Sequence, residues 1–188
     1  LQYRSVALNP IKEITELAES YGAMTVWDAS HAAGSVRLDF KENNIDLAVG
    51  CTYKYLCAGP GSPAWLYVSK KQQNKLNVPI QGWFAQKDQF GMGPKFEKSL
   101  DIRGFQIASP SLLGIRCVNA SIELIEEAGM SEIIEKAQKG TDLMISLYDY
   151  WLADLGFELM TSRNAKNRGG HISLMHKHAK KISVALRK

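Results

Sequence analysis

Gly50-Cys51-Thr52-Tyr53-Lys54-Tyr55-Leu56-Cys57-Ala58-Gly59-Pro60-Gly61 is the stretch on which the reading of this chain turns. An apolar run, Asp46 to Gly50, feeds it, and a second, Ala64 to Val68, leaves it. The Gly/Pro-rich connection predicts a tight turn, and the two runs it joins predict an antiparallel pair at the edge of a sheet. Lys54 stands between two tyrosines just past the first run. The end of a buried strand is an odd place for a solvated ammonium. Burial lowers a lysine's pKa and makes its amine a nucleophile, which Schiff-base chemistry needs. A surface lysine beside a turn is the plainer reading of this stretch taken alone.

The segment Thr25-Val26-Trp27-Asp28-Ala29-Ser30-His31 changes the balance. Ala23 to Trp27 predicts a short buried strand with Asp28 at its C-terminal end. Ligands of open α/β sheets bind outside the carboxyl ends of the strands. A carboxylate there can hold a protonated ring nitrogen. A lysine with such an aspartate is the pair used by enzymes of pyridoxal 5'-phosphate, PLP.

The remaining elements follow from periodicity and punctuation. Pro10 to Tyr21 predicts a helix, with Asn9 as N-cap, Ile11, Ile14, Leu17, Ala18 and Tyr21 on one face, and Gly22 ending it. Val36 to Phe40 is extended, and Lys70 to Lys75 a short helix. Val78 to Pro110 has little periodicity, which points to a functional segment or one ordered by a partner. Pro110 to Ala128 predicts a helix with Leu113, Cys117, Ala120 and Leu124 in step; Ser131 to Leu155 predicts a longer one with a capped start at Ser131. Phe157 to Met160 and Gly170 to Met175 predict strands of a smaller unit, and His178 to Lys188 opens another helix. Helix followed by strand argues for a parallel α/β sheet.

Composition sets bounds. With 188 residues, 45% apolar and 22% charged, the chain can bury one sizeable domain of an ordinary globular protein. A net charge of +4, scattered along the sequence, gives no footprint for nucleic acid. No apolar run reaches the length of a membrane span. Cys51, Cys57 and Cys117 have no metal-like spacing, and their odd number fits a reducing compartment. His171, His176 and His178 fall in the smaller unit; the alternation of His176 and His178 could suggest a metal, but with no cysteine or carboxylate in step it reads as a solvated turn.

Asp28-Ala29-Ser30-His31-Ala32-Ala33-Gly34, Gly50 to Leu56 and Gly59-Pro60-Gly61 together resemble the kynureninase family. The resemblance implies the PLP-dependent aminotransferase fold (fold type I), shared with the cysteine desulfurases. It implies an incomplete α/β large domain over residues 1–110, connecting helices over 111–155, and the start of an α+β small domain over 156–188. Leu1 is not a start methionine, and the chain stops inside a predicted helix. The expectation is therefore a middle segment, with the phosphate-binding part upstream and a carboxylate-binding arginine downstream. Such a segment is expected to be inactive alone.

The resemblance further implies hydrolytic Cβ–Cγ cleavage of L-kynurenine, or its 3-hydroxy form, to anthranilate (or 3-hydroxyanthranilate) and L-alanine. It implies a cytoplasmic homodimer with shared active sites, acting in tryptophan catabolism or NAD biosynthesis. Lys54 would form the Schiff base and move protons. Asp28 would pair with the pyridine nitrogen; a turn cap is its structural alternative. His31 would lie beside the cofactor's phenolic oxygen and near substrate, or be a satisfied structural histidine. Tyr53 would bind the phosphate and act as acid or base. Tyr55 reads as packing, and Thr52 is a weaker cofactor contact. Trp83 and Ser109 would reach cofactor and substrate across the dimer interface; otherwise Trp83 is a core aromatic and Ser109 a helix N-cap. Ala85-Gln86 departs from the Gly-His usual in the family, and Pro110-Ser111 from its two prolines. The other readings that share these residues are a different PLP enzyme of the desulfurase-like group and an inactive structural piece.

Overall fold

A computed structural model describes residues 1–187, so the last residue of the predicted final helix, Lys188, lies outside the described residues. The chain divides into two units. One comprises Pro10–Ser30 and Asp39–Glu123; the other comprises Leu1–Asn9, His31–Leu38 and the chain from Leu124.

The first of these holds the predicted sheet. Helix α1 (Ile11–Ser20) begins after Pro10 with no side-chain cap. Asn9, the expected cap, instead accepts a hydrogen bond from Gln2 Nε2 at 3.3 Å. Gly22, at φ +70°, ends the helix as expected. Its N–H donates to Glu19 O and that of Ala23 to Ala18 O, both at 2.9 Å, a left-handed closure that favours glycine. The inward face is not the apolar one the sequence suggested. Thr15 is buried, and its hydroxyl accepts from Trp27 Nε1 at 3.1 Å, whereas Leu17 is 61% exposed. One hydroxyl that satisfies an indole N–H thus selects the face on which α1 meets the sheet.

Strand β1 (Val26–Asp28) runs parallel to β2 (Leu47–Gly50), with Asp28 opposite Val49. Strand β3 (Trp65–Val68) returns antiparallel to β2 and forms one edge of this three-stranded sheet. Gly50 faces Trp65 across the pair; a Cβ there would lie 2.4 Å from the indole Cζ2, so the strand entering the lysine segment ends on a residue without one. Ala29, Ile45, Ala48, Ala58, Val68 and Ala85 are the buried apolar residues of this unit. Helix α2 (Lys70–Gln73) follows β3 and lies over Asp46, which accepts hydrogen bonds from Ser69 Oγ (2.5 Å) and Gln72 Nε2 (2.8 Å) and pairs with Lys71 (3.1 Å).

Helix α3 spans Leu112–Ala128 and starts two residues later than predicted. Ser111, not Ser109, caps it: Ser111 Oγ accepts the Gly114 N–H at 3.2 Å. Its buried residues are Gly114 and Ser121, while Leu113 is 82% exposed and Cys117 and Leu124 are also exposed. Small residues decide the inner face because Gly114 sits where a Cβ would come within 2.7 Å of Pro63 Cδ.

In the other unit, α4 (Met130–Trp151) begins after Gly129, whose φ of +79° separates it from α3; no side chain, Ser131 included, caps it. Thr141, Ile145 and Tyr148 are its buried residues. Strands β4 (Glu158–Leu159) and β5 (Leu174–Met175) pair antiparallel and are shorter than the predicted runs. Helix α5 (Ala179–Ala185) follows. Arg168 is buried beneath α4. It donates from Nε to Thr141 Oγ1 (2.9 Å), from Nη1 to Arg163 O (2.7 Å) and Ser162 O (3.3 Å), and from Nη2 to Gln138 O (3.4 Å) and to the Asp142 carboxylate. Its backbone bridges Ala7, which brings the N-terminal segment alongside. No helix among the described residues is long and apolar enough to cross a membrane.

Candidate active site

Because β1 and β2 are parallel, their carboxyl ends lie side by side. The turn leaving β1 is stitched to the segment leaving β2. Ala29 N–H donates to Val49 O at 2.8 Å, and Cys51 N–H to Ser30 Oγ at 3.2 Å. Asp28 Oδ1 accepts the Ser30 N–H at 2.8 Å, so its carboxylate caps the turn that it opens. The sequence suggested a buried carboxylate. Asp28 is instead exposed, because it lies on an outer strand of the described sheet whose flank stands open at Val26.

Lys54 stands four residues past β2, in a turn closed by Cys57 N–H to Lys54 O at 2.9 Å. Lys54 is half-buried. Its ammonium lies 5.6 Å from the centroid of the Tyr53 ring, within range of a cation–π attraction. The flanking tyrosines differ. Tyr53 is 52% exposed, whereas Tyr55 is half-buried and burial pushes its phenol above the usual value. This fits Tyr55 as packing and leaves Tyr53 open to a ligand. Thr52 is buried and donates to Pro63 O at 2.7 Å, which fastens the segment to its returning turn.

Trp83 lies in a 3₁₀ turn, Trp83–Ala85, and is 48% exposed. It is a half-open aromatic rather than a core one. Gly82 places this turn directly against Ile107: a Cβ at Gly82 would fall 1.9 Å from Ile107 O. That approach brings the Trp83 turn beside the segment that carries Ser109, two residues on and exposed. Ala85 is buried and Gln86 half-buried.

His31 belongs to the other unit. There its ring stacks on Tyr3 (centroids 6.1 Å apart) and tilts against His171 (6.3 Å). His176 packs on Phe157 at 4.6 Å, and its Nδ1 accepts the His178 N–H at 3.0 Å, so it is held rather than free in a solvated turn. No group of three or more metal-ligating side chains occurs among the described residues. The cysteines are free thiols.

A cavity of about 610 Å³, lined by Phe40, Asp46, Tyr67 and Lys71 among others, opens by the amino end of β2, away from the Asp28 and Lys54 end. Sequence reasoning missed Ser30, which joins the two strand ends, and the roles of Ser111, Gln86 and Arg168. Asp-x-Ser after a strand was the one local signal, since it is an Asx-turn pattern.

The aminotransferase class-V family matches residues 6–187. A kynureninase from Pseudomonas fluorescens is 31% identical over 186 residues, which is 99% of this chain and 45% of that protein. The chain thus spans about half the length of the curated relatives it matches. The apo cysteine desulfurase of Thermococcus onnurineus NA1 superposes with a TM-score of 0.78 at 20% identity, over 100% of this chain and 46% of its own. A C-DES mutant with glycine covalently linked to its PLP cofactor gives a TM-score of 0.77 at 16% identity, over 100% of this chain and 49% of its own. The expected α/β fold of PLP-dependent enzymes, fold type I, is the fold these likenesses share.

Proposed function

The chain belongs to the aminotransferase class-V family, and from that premise we propose that it is part of a kynureninase. The observation that carries the reading is the parallel pairing of β1 and β2, which sets Asp28 and the segment leading to Lys54 at adjacent carboxyl ends, in a chain 31% identical to a kynureninase over nearly its whole length. The cofactor is pyridoxal phosphate. The residue types present suit it: an amine and an open phenol follow β2 and a carboxylate ends β1, at the ligand-binding end of a parallel strand pair. When bound, it supplies an electron sink for the carbanion formed at the substrate's Cα.

The chain's own groups do the rest. The Lys54 amine would hold the cofactor at its aldehyde carbon and would be the base that takes the proton from the substrate's Cα. Asp28 keeps the pyridine nitrogen protonated by placing a fixed negative charge against it. Tyr53, exposed beside Lys54, contacts the phosphate and delivers a proton to the Cβ of the departing alanine fragment. His31 would serve the cofactor's phenolic oxygen, a role that the family resemblance alone supports. Trp83 and Ser109, on segments that meet where Gly82 approaches Ile107, would contribute to the site across a homodimer interface. Water adds to the γ-carbonyl of L-kynurenine, the Cβ–Cγ bond breaks, and anthranilate and L-alanine leave; one water is consumed per turnover. In this reading residues 1–110 belong to the large domain, 111–155 connect, and 156–188 begin the small domain of a cytoplasmic enzyme.

The test is anthranilate fluorescence from the full-length protein with pyridoxal phosphate and L-kynurenine, beside 3-hydroxykynurenine and cysteine. Growing fluorescence is the expected result, and Lys54→Ala is expected to abolish both turnover and the protein-bound cofactor absorbance. Release of sulfide from cysteine without anthranilate from kynurenine would overturn the substrate and move the chain to desulfurase-like chemistry. Undiminished turnover in Lys54→Ala would overturn the role of the lysine.

A further inference from the structure

Between Trp83 and Ser99 the chain leaves and returns to the same place. The Ser99 N–H donates to Ala85 O at 2.8 Å and the Lys87 N–H to Glu97 O at 2.7 Å, and Gln86 faces Lys98 in an antiparallel bridge. The Gln86 side chain bonds twice across this neck, which the Lys87–Glu97 ion pair (3.9 Å) and a bond from Arg103 Nη2 to Lys87 O (3.0 Å) also hold. Gln86 Nε2 donates to Lys95 O at 3.1 Å, and Gln86 Oε1 accepts the Glu97 N–H at 2.8 Å. A carbonyl can only accept and an N–H only donate, so the partners fix which way the amide points. A carboxamide offers a donor and an acceptor side by side. A carboxylate lacks the donor, and an imidazole holds its two nitrogens on different edges of the ring.

The loop closed in this way carries Phe90, whose ring stands edge-on to Trp83 with centroids 6.2 Å apart and planes at 78°. Phe84 meets the same indole at 4.6 Å and 84°. Phe84 is fixed by chain adjacency; Phe90 is fixed only as well as its loop is. Gln86 is the side chain that makes two hydrogen bonds to the returning backbone, at Lys95 and Glu97.

We propose that Gln86 is a positioning residue for Trp83: by clamping the 87–97 loop it holds Phe90 against the indole and so sets how the aromatic end of the substrate is received. This rests on the reading of Trp83 as a substrate-side residue. The position is one where the sequence departs from the resembling family, so this chain sets its indole with a carboxamide where the family usually has histidine.

The experiment uses the full-length protein with Gln86→Ala, Gln86→Glu and Gln86→Asn. Trypsin digestion of the cofactor-free protein reads the loop at Lys87 and Lys95. Cleavage there is expected to rise about tenfold in Gln86→Ala, the effect of losing two net hydrogen bonds from a local opening equilibrium. Acrylamide quenching, taken as the difference that vanishes in a Trp83→Phe background, is expected to increase. With L-kynurenine, KM is expected to rise by about tenfold with kcat changed by less than about twofold, the signature of lost substrate binding rather than lost chemistry. Gln86→Asn, which keeps both groups on a shorter stem, should recover part of each effect, and Gln86→Glu should not. Faster cleavage with unchanged Trp83 quenching and unchanged KM would overturn the proposal, since Gln86 would then close a loop and nothing more. Unchanged cleavage would overturn it as well. Failure of the wild-type protein to turn over kynurenine would reject the functional reading, and the quenching measurement, which needs neither substrate nor cofactor, would still decide the positioning.

Discussion

Asp28 shows how much one side chain carries. Its Oδ1 holds the Ser30 N–H, and Ser30 in turn holds Cys51, so the carboxylate shapes the junction of two strand ends, beside the cofactor role proposed for it. Asparagine keeps the acceptor and removes the charge. Asp28→Asn is therefore expected to leave the melting temperature nearly unchanged, within about 0.5 kcal/mol of stability. Turnover should fall by about 100-fold or more, the scale of a misplaced proton in acid–base catalysis. Steady-state rates and a thermal melt on one preparation check this. A near-normal rate would reject the electrostatic role, and a large loss of stability would mean that Asn fails to keep the turn. The placement of Lys54 and Asp28 near the ends of two strands was legible in the sequence, because two short apolar runs mark those ends. Their exposure was not legible, because burial depends on what else covers a strand end. Gln86 and Ser111 left no signal of that strength: a polar residue near a turn has many uses, and only the geometry of its partners selects one.

Element boundaries were read well where backbone chemistry decides them. Strands β2 and β3 fall within the predicted runs, and Gly22 and Gly129 end helices where the sequence placed the breaks. Helix faces were read poorly. Periodicity put Leu17 and Leu113 inside, yet Thr15 and Gly114 are the residues that face inward. Hydrogen bonding to Trp27 and close approach to Pro63 outweighed side-chain hydrophobicity there. The junction of β2, β3 and α2 gives an element-scale prediction. Burial opposes the charge of Asp46, but hydrogen bonds from Ser69, Gln72 and Lys71, with the Lys71 charge, outweigh it, and the pKa lies below the ordinary carboxylate value. A depressed folded pKa means that the stabilisation is complete above the unfolded value of about 4 and is lost as pH falls through the folded one. Asp46→Asn is expected to cost about 1–3 kcal/mol at pH 7, the scale of hydrogen bonds to a charged group. The gap from wild type should close as the pH drops below about 4. Urea melts at pH 7 and pH 3 measure it; a gap of the same size at both would mean that the carboxylate's charge contributes nothing.

At the scale of the molecule, two units are drawn from interleaved pieces of one chain. Gly170 N–H donates to Ser35 Oγ across 135 residues at 3.2 Å, and Gly169 N–H donates to Val6 O at 3.2 Å. Contacts over such separations have no local pattern, which is why the joining of the N-terminal segment to the residues around Arg168 could not be read from the sequence. Arg168 organises that unit. Its guanidinium binds α4 through Thr141, Gln138 and Asp142, and the loop before it through Ser162 and Arg163. Removing it strands several carbonyl acceptors in partly buried positions. Arg168→Leu is expected to cost about 3 kcal/mol, the lower end of what breaking a buried charged pair costs, because Asp142 reaches solvent. The loss should be local. Hydrogen exchange should quicken at residues 1–9, 162–171 and the middle of α4, while amides of β1, β2 and β3 keep their protection, because that sheet is closed by its own core at Ile45, Ala48 and Val68. Uniform loss of protection over both sets would mean that the units unfold as one, and that Arg168 supports the sheet as much as the helix above it.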